Sequence, residues 1–157
     1  MLQPIQYRFS QRFNLPASKA YEWCTDFTPG DQALMREKNA TREVQRLTEN
    51  TFILTDKFQV GGETIVKQKL VCLYPKRLMW TSTHLAGPAE HSQFIYEIKS
   101  TTRTTSRLKF TALHLARDLE EGTSKADIEE LAEELRKEDS DVWKNLAREM
   151  ERETHLS

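Results

Sequence analysis

SKADIEELAEELRKEDSDVWKNLAREMERE, residues Ser124–Glu153, is the stretch that decides the predicted fold. It contains neither proline nor glycine and is rich in Glu, Lys, Ala, Leu and Arg, residues that favour helices. Its apolar side chains recur at helical spacing, at Ile128, Leu131, Leu135, Val142, Leu146 and Met150. The stretch therefore predicts one amphipathic helix about 45 Å long.

A capping residue marks the start of this helix. The hydroxyl of Ser124 can accept a hydrogen bond from a free backbone N–H, and Asp127 suits the positive end of the helix dipole. Because a helix of this length is longer than a small domain is wide, its apolar face needs a broad partner. The predicted partner is a curved sheet, with the helix lying across its concave face.

The N-terminal residues predict a strand followed by two short helices. Over residues 5–15 apolar and polar side chains alternate, apart from Gln11, as in a half-buried strand. Pro16 suits a first helical turn, so residues 17–25 are predicted to form a short helix. Residues 31–35 begin with an aspartate that can cap a second short helix.

Six further segments are predicted to pair as consecutive antiparallel strands. They are residues 40–48, 51–60, 63–74, 77–85, 90–99 and 104–115. Gly61-Gly62 is typical of a two-residue hairpin, because both positions can adopt positive φ. Parallel crossovers would need intervening helices, so a meander is favoured. The element order predicts an α+β fold, with a seven-stranded antiparallel sheet and the long helix closing its concave face.

Composition limits the function classes. The 157 residues are predicted to form one domain, residues 1–157, and the net charge of -1 with mixed signs argues against a nucleic-acid partner. Cys24 and Cys72 are isolated, which predicts buried thiols in a reducing cytoplasm rather than a metal or redox centre. The N-terminus has no continuous apolar segment, so neither a signal peptide nor integral membrane association is expected. No cofactor is predicted.

Residues 13–31, FNLPASKAYEWCTDFTPGD, carry a family resemblance. Together with the element order, they resemble the helix-grip fold of the Bet v 1-like superfamily (SRPBCC), which includes START-domain proteins, polyketide cyclases and coenzyme Q-binding proteins. The resemblance implies a cavity between the sheet and the C-terminal helix for a small hydrophobic ligand such as a lipid, sterol, quinone or aromatic polyketide. Plant allergens of this superfamily usually carry a glycine-rich loop, whereas only Gly61-Gly62 stands here, so that branch is not indicated.

Asp139 is a candidate chemical group on the long helix. It lies four residues after Leu135 and three before Val142, so it falls on the apolar stripe and is expected to point toward the sheet. Burial would raise the pKa of its carboxyl group, as suits a general base or a ligand-orienting group. The alternatives are that the stripe meets water here, at the mouth of a cavity, or that Asp139 pairs with an arginine.

Three polar residues are predicted on inward faces of the sheet. His84 is in phase with Trp80, His114 with Phe110, and Glu90 with Phe94. If residue 84 lies opposite residue 90 and residue 90 opposite residue 114, the three form one row that could bind a metal ion or move protons. A one-residue slip would scatter the row, and the alternative is three polar groups at the rim of a pocket.

Inward aromatic and apolar side chains are the predicted ligand wall, with packed core as the alternative. The predicted ligand-binding residues are Tyr7, Phe9, Trp80, Phe94, Tyr96, Phe110, Leu135, Asp139, Val142 and Trp143.

Three functions remain open on this sequence. The first is a carrier of a small hydrophobic ligand, favoured because no nucleophile motif is present. The second is a cyclase- or hydrolase-type enzyme that uses Asp139 with His84 or His114 in the same cavity. The third is a protein-interaction module of chaperone-activator type, which needs an exposed apolar patch.

Overall fold

The computed structural model describes residues 2–27, 40–117 and 119–156, and the elements below are those of these ranges. The strands are β1 Gln3–Phe13, β2 Thr41–Thr48, β3 Thr51–Val60, β4 Glu63–Tyr74, β5 Met79–Ala86, β6 Gln93–Ser100 and β7 Ser106–Ala116. The helices are α1 Ala17–Thr25 and α2 Lys125–Leu156, and a 3-10 turn covers Pro75–Arg77. No helix in these ranges is both long and apolar enough to span a bilayer.

The strands form one antiparallel sheet in the order β1-β7-β6-β5-β4-β3-β2. Strands β2 to β7 follow one another as a meander, and β1 pairs with β7 at one edge of the sheet. The predicted α+β fold and antiparallel sheet are therefore confirmed. Gly61 and Gly62 connect β3 to β4 with φ of 57° and 83°, which is the left-handed conformation expected of this turn.

Some boundaries differ from the predicted ones for local reasons. β5 begins at Met79 because Leu78 takes a left-handed conformation, φ 50°, after the 3-10 turn. β6 begins at Gln93 because residues 87–92 form a tight turn, in which the N–H of Glu90 donates to the carbonyl oxygen of Gly87 at 3.1 Å. The second short helix predicted at residues 31–35 lies outside the described residues.

Helix α2 begins as its sequence predicts. The backbone N–H of Asp127 donates to Oγ of Ser124 at 3.1 Å, which caps the first turn. The N-terminal half of α2 packs on one cluster of the core through Ile128, Leu131, Ala132 and Leu135. The C-terminal half packs on a second cluster through Trp143, Ala147 and Met150. The helix therefore bridges two adjoining parts of one inner face.

The predicted place of Val142 on the buried stripe is wrong. Its side chain is 37% exposed, whereas Ala147 and Met150 are 4% and 0% exposed. Successive residues of a helix differ by about 100°, and the large side chain of Trp143 takes the inward position next to Val142. The buried face in this half therefore runs through Trp143, Ala147 and Met150.

Candidate functional site

Polar side chains cross the inner face of the sheet on four neighbouring strands. Alternation along each strand directs Arg42 of β2, Asp56 of β3, Lys69 of β4 and His84 of β5 toward the interior. Arg42 lies directly opposite Asp56, and Lys69 directly opposite His84. These four side chains form a continuous set within a face that is otherwise mainly apolar.

A buried ionic cluster occupies one end of this set. Nε of Arg42 donates to Oδ1 of Asp56 at 2.7 Å, and Nη2 donates to Oδ2 at 2.9 Å. The ammonium of Lys69 lies 3.3 Å from the same Oδ2. Burial opposes the charged form of Asp56, but Arg42 and Lys69 outweigh it and hold the pKa of the carboxyl below its ordinary value. For Lys69 burial dominates, so its pKa is lowered.

His84 stands beside this cluster as a neutral imidazole. Burial first, and then the positive charges of Lys69 and Lys67, lower the pKa of His84 to about 3. Its ring centroid lies 5.0 Å from that of Phe94. Nδ1 of His84 and Oγ of Ser82 are buried and have no hydrogen-bond partner among the described residues. Native proteins form hydrogen bonds with nearly all buried polar atoms. These two atoms therefore lack partners that the described residues do not supply.

The connection from β5 to β6 determines which residue stands next to His84. The backbone N–H of His84 donates to the carbonyl oxygen of Ser92 at 2.9 Å, and the N–H of His91 donates back to His84 at 2.7 Å. His91 has φ 70°, a left-handed position that shifts the register. Gln93 pairs with Leu113, and the preceding residue, Ser92, is therefore the inward residue of this row.

The predicted row of His84, Glu90 and His114 is therefore wrong at its middle member. Glu90 lies in the turn, where its Oε2 is 2.7 Å from Nη2 of Arg117. Ser92 is fully buried instead, and its Oγ accepts a hydrogen bond from the backbone N–H of Leu115 at 2.9 Å. The described residues hold no group of three potential metal ligands.

A second polar group lies under α2. The hydroxyl of Tyr7 donates to Oδ2 of Asp139, which confirms that Asp139 points toward the sheet, with a tyrosine rather than an arginine as its partner. Burial raises the pKa of Asp139, while the Tyr7 hydrogen bond and His114 oppose the rise. Burial lowers the pKa of His114, and the charge of Asp139 opposes it. The three groups are thus close enough to influence one another's protonation.

Replacement of Tyr7 by phenylalanine tests this bond. Because the hydroxyl stabilises the charged carboxylate, the Tyr7→Phe variant should raise the pKa of Asp139 further and lower the free energy of unfolding at neutral pH by about 1–2 kcal/mol. Because the folded-state pKa of Asp139 lies above its ordinary value of 3.8, the stability that this group contributes is lost as the pH rises through the folded-state pKa. The deficit of the variant should therefore disappear at acid pH. Denaturant titrations and NMR titration of the Asp139 carboxyl carbon measure both effects. A deficit that is equal at acid and neutral pH would contradict this account.

Aromatic rings join the two polar groups. Trp80 stacks on Tyr96 with ring centroids 4.6 Å apart and ring planes 2° from parallel. Phe110 meets Tyr96 edge-on at 5.2 Å and stacks on Phe9 at 4.6 Å. The ring of Trp143 on α2 lies 5.8 Å from Tyr96. The predicted aromatic set therefore forms one connected layer between sheet and helix, with Phe94 next to His84.

Comparison with known proteins rests on structure. No protein-family model matches the sequence, and no curated protein matches it. The ZhuI aromatase/cyclase from Streptomyces sp. R1128 superposes with a TM-score of 0.74 and 15% identity over 98% of this chain and 96% of that one. Ara h 8.0201 superposes with a TM-score of 0.65 and 11% identity, over 96% of this chain and 98% of that one. The chain has the Bet v 1-like helix-grip fold.

A longer structure shows the same fold. The di-domain ARO/CYC protein StfQ of the steffimycin biosynthetic pathway superposes with a TM-score of 0.71 and 12% identity. The match covers 98% of this chain and 52% of StfQ, so this chain spans about half the length of that protein. At these identities the likeness describes the helix-grip architecture, and the site must be argued from this chain's own residues.

Sequence reasoning did not single out five polar residues of the helix-grip inner face: Arg42, Asp56, Lys69, Ser82 and Ser92. A signal was present, because Asp56 is in phase with the buried Phe52 and Leu54 along β3. A charged residue at a core position of a strand indicates a buried partner. That partner, Arg42, lies on another strand and could be assigned only once the register of β2 and β3 was known.

Proposed function

We propose that this chain binds a small hydrophobic ligand between the sheet and α2, with the polar end of the ligand near His84. The observation that carries the proposal is the pair of buried, unpartnered atoms, His84 Nδ1 and Ser82 Oγ, at the end of a connected aromatic layer. Orphaned buried polar atoms each cost about 1–3 kcal/mol, and a ligand group would remove that cost. Aromatic walls with a few polar groups are typical of small-molecule sites.

The ligand class follows from the wall and from the resemblance. Phe94, Tyr96 and Phe110 offer flat apolar surfaces, which suit a lipid, sterol, quinone or aromatic polyketide. The fold shared with an aromatase/cyclase supports the last of these in particular. Both cysteines, which lie in the described part of the chain, are free thiols, and this supports action in the reducing cytoplasm.

Native mass spectrometry of the protein purified from its own host tests the binding role. The expected result is a complex heavier than the chain, which releases an apolar molecule on denaturation. Ligand addition to the stripped protein should also change the fluorescence of Trp143, which belongs to the aromatic layer. Trp23, whose indole N–H donates to Oε2 of Glu153 at 2.6 Å, is the matched control. Trp23→Phe should keep the fluorescence change, and Trp143→Phe should reduce it. A protein without bound ligand that also fails to respond to apolar compounds would overturn the proposal.

An acid–base enzyme at the same site is the second candidate, favoured by the Tyr7–Asp139 bond beside His114. A buried carboxyl group of raised pKa can accept and return a proton near neutral pH. Asp139→Asn should then abolish turnover of the bound ligand and leave its binding nearly unchanged. Under the carrier hypothesis the wild type itself leaves the ligand chemically unaltered, as mass spectrometry of the released molecule will show.

A further inference from the structure

Three hydrogen-bond donors lie at neighbouring positions of the inner face. Lys69 and His84 are directly opposed, and Ser82 lies two residues before His84 on the same side of β5. The register shifts between Gln68 and Lys69, because β5 carries one extra residue, Leu85, at this point. Such a bulge bends its strand and redirects neighbouring side chains. Ser82 and His84 are 5% and 9% exposed, so their unpartnered atoms face the interior.

Within the described residues, Lys69 keeps hydrogen-bonding capacity beyond its contact with Asp56. Both oxygens of Asp56 accept hydrogen bonds from Arg42, and Lys69 reaches one of them at the longer distance of 3.3 Å. Among the described residues Asp56 is the only acid in contact with Lys69, whose ammonium has three N–H donors. A second cation of β4, Lys67, lies over the ring of Phe58 at 4.9 Å. Asp139, an inward acid of α2, accepts a hydrogen bond from the hydroxyl of Tyr7.

We propose that the ligand carries a carboxylate, which Lys69, Ser82 and His84 hold at the end of the aromatic layer. The inference rests on the proposed function and specifies its ligand class: an amphipathic acid, with its apolar body along Phe94 and Tyr96.

The donor set distinguishes a carboxylate from a neutral group. Lys69 can only donate, Ser82 can donate through its hydroxyl, and the neutral imidazole of His84 donates in its Nδ1–H tautomer. An ionised carboxylate only accepts, and its two oxygens have enough lone pairs for all three donors. A ketone or alcohol oxygen is a weaker acceptor and leaves the ammonium of Lys69 with its charge only partly compensated.

A matched pair of fluorescent probes tests the carboxylate. Dansylaminoundecanoic acid and dansylaminoundecanamide share the same apolar body and differ in the charge of one end. Dissociation constants at neutral pH are measured by dansyl fluorescence for the wild type and for Lys69→Met. Lys57→Met is the control, because Lys57 is exposed on the opposite face of β3. Circular dichroism verifies that each variant is folded.

We expect the wild type and Lys57→Met to bind the acid about tenfold or more tightly than the amide. Lys69→Met should lose this preference through weaker binding of the acid, with the amide unchanged within about twofold. The proposal of a carboxylate is wrong if the amide binds the wild type as tightly as the acid, or if the preference survives in Lys69→Met. Binding of an apolar ligand is still supported in either case. If neither probe binds the wild type, the proposed function fails as well.

Ser82→Ala provides a second variant should Lys69→Met fail to fold. It removes only the unpartnered hydroxyl, which forms no hydrogen bond within the described residues. The acid should bind about threefold to tenfold more weakly, and the amide should be unaffected. Equal losses for both probes would show that Ser82 acts through packing and would overturn its place in the carboxylate site.

Discussion

Replacement of Asp56 by alanine is expected to lower the free energy of unfolding at neutral pH by about 3–5 kcal/mol. The variant removes the carboxylate that accepts two hydrogen bonds from Arg42 and lies 3.3 Å from Lys69. Asp56 is 3% exposed and Arg42 8%, so water cannot readily replace the lost contacts. Arg42 and Lys69 then lose the carboxylate that offsets their desolvation, and this loss exceeds the net contribution of the pair itself.

The effect should depend on pH in a defined direction. Burial disfavours the charged form of Asp56, but Arg42 and Lys69 hold its pKa in the folded protein below 3.8. A carboxyl with a lowered folded-state pKa adds stability above the unfolded value, and that stability is lost as the pH falls through the folded pKa. The deficit of Asp56→Ala should therefore shrink below pH 3.8.

Urea denaturation of the two proteins across this range measures the deficit directly. Asp141→Ala is the matched control, because Asp141 is an exposed residue of α2 whose carboxylate lies 3.8 Å from Lys144. Exposed pairs contribute about 0.5 kcal/mol or less. A loss for Asp56→Ala no greater than that of Asp141→Ala would contradict a stabilising role of the ionic cluster.

The sequence predicted this fold well because periodicity depends on local geometry. The alternation in residues 5–15 and the helical spacing in residues 124–153 each arise from the repeat of a single element. Ser124, as a helix cap, is equally local, and its hydroxyl does accept the N–H of Asp127. Such features need no knowledge of which elements are neighbours.

The candidate site was less predictable because it depends on register. A left-handed residue, His91, shortens β6 so that Ser92 rather than Glu90 faces inward. The observed registers pair Thr83 with Gln93 and Gln93 with Leu113, so Ser92 takes the place predicted for Glu90 on the same face, and the row of potential metal ligands was not formed. The pair of Arg42 and Asp56 likewise requires the alignment of β2 with β3.

The other large effect concerns His84. Burial and the neighbouring charge of Lys69 lower its folded-state pKa to about 3, from an ordinary value of 6.5 in the unfolded chain. A histidine with a lowered folded-state pKa binds fewer protons folded than unfolded between these values, so stability falls as the pH falls. Each pH unit in this window costs roughly 1.4 kcal/mol, or roughly 3 kcal/mol between pH 6.5 and pH 4.

His84→Gln should remove this part of the acid sensitivity, because glutamine does not titrate. Other groups facing His84 also respond to pH, namely Asp56 on β3 and His114 on β7, and Lys67 and Lys69 on β4 also act on the pKa of His84. The difference between wild type and His84→Gln at each pH isolates the contribution of His84. Denaturant titrations at several pH values should show this difference shrinking, or reversing in favour of the variant, as the pH falls.

His155→Gln supplies the control, because it is the same substitution at an exposed histidine near the end of α2. NMR should show the His84 ring neutral down to about pH 4 in the folded protein. An imidazole that titrates near pH 6.5 would mean that water reaches His84, and the unpartnered Nδ1 would then be hydrated rather than open to a ligand. The same titration repeated with a bound carboxylic acid should raise the pKa of His84, because a negative charge beside the ring favours the imidazolium.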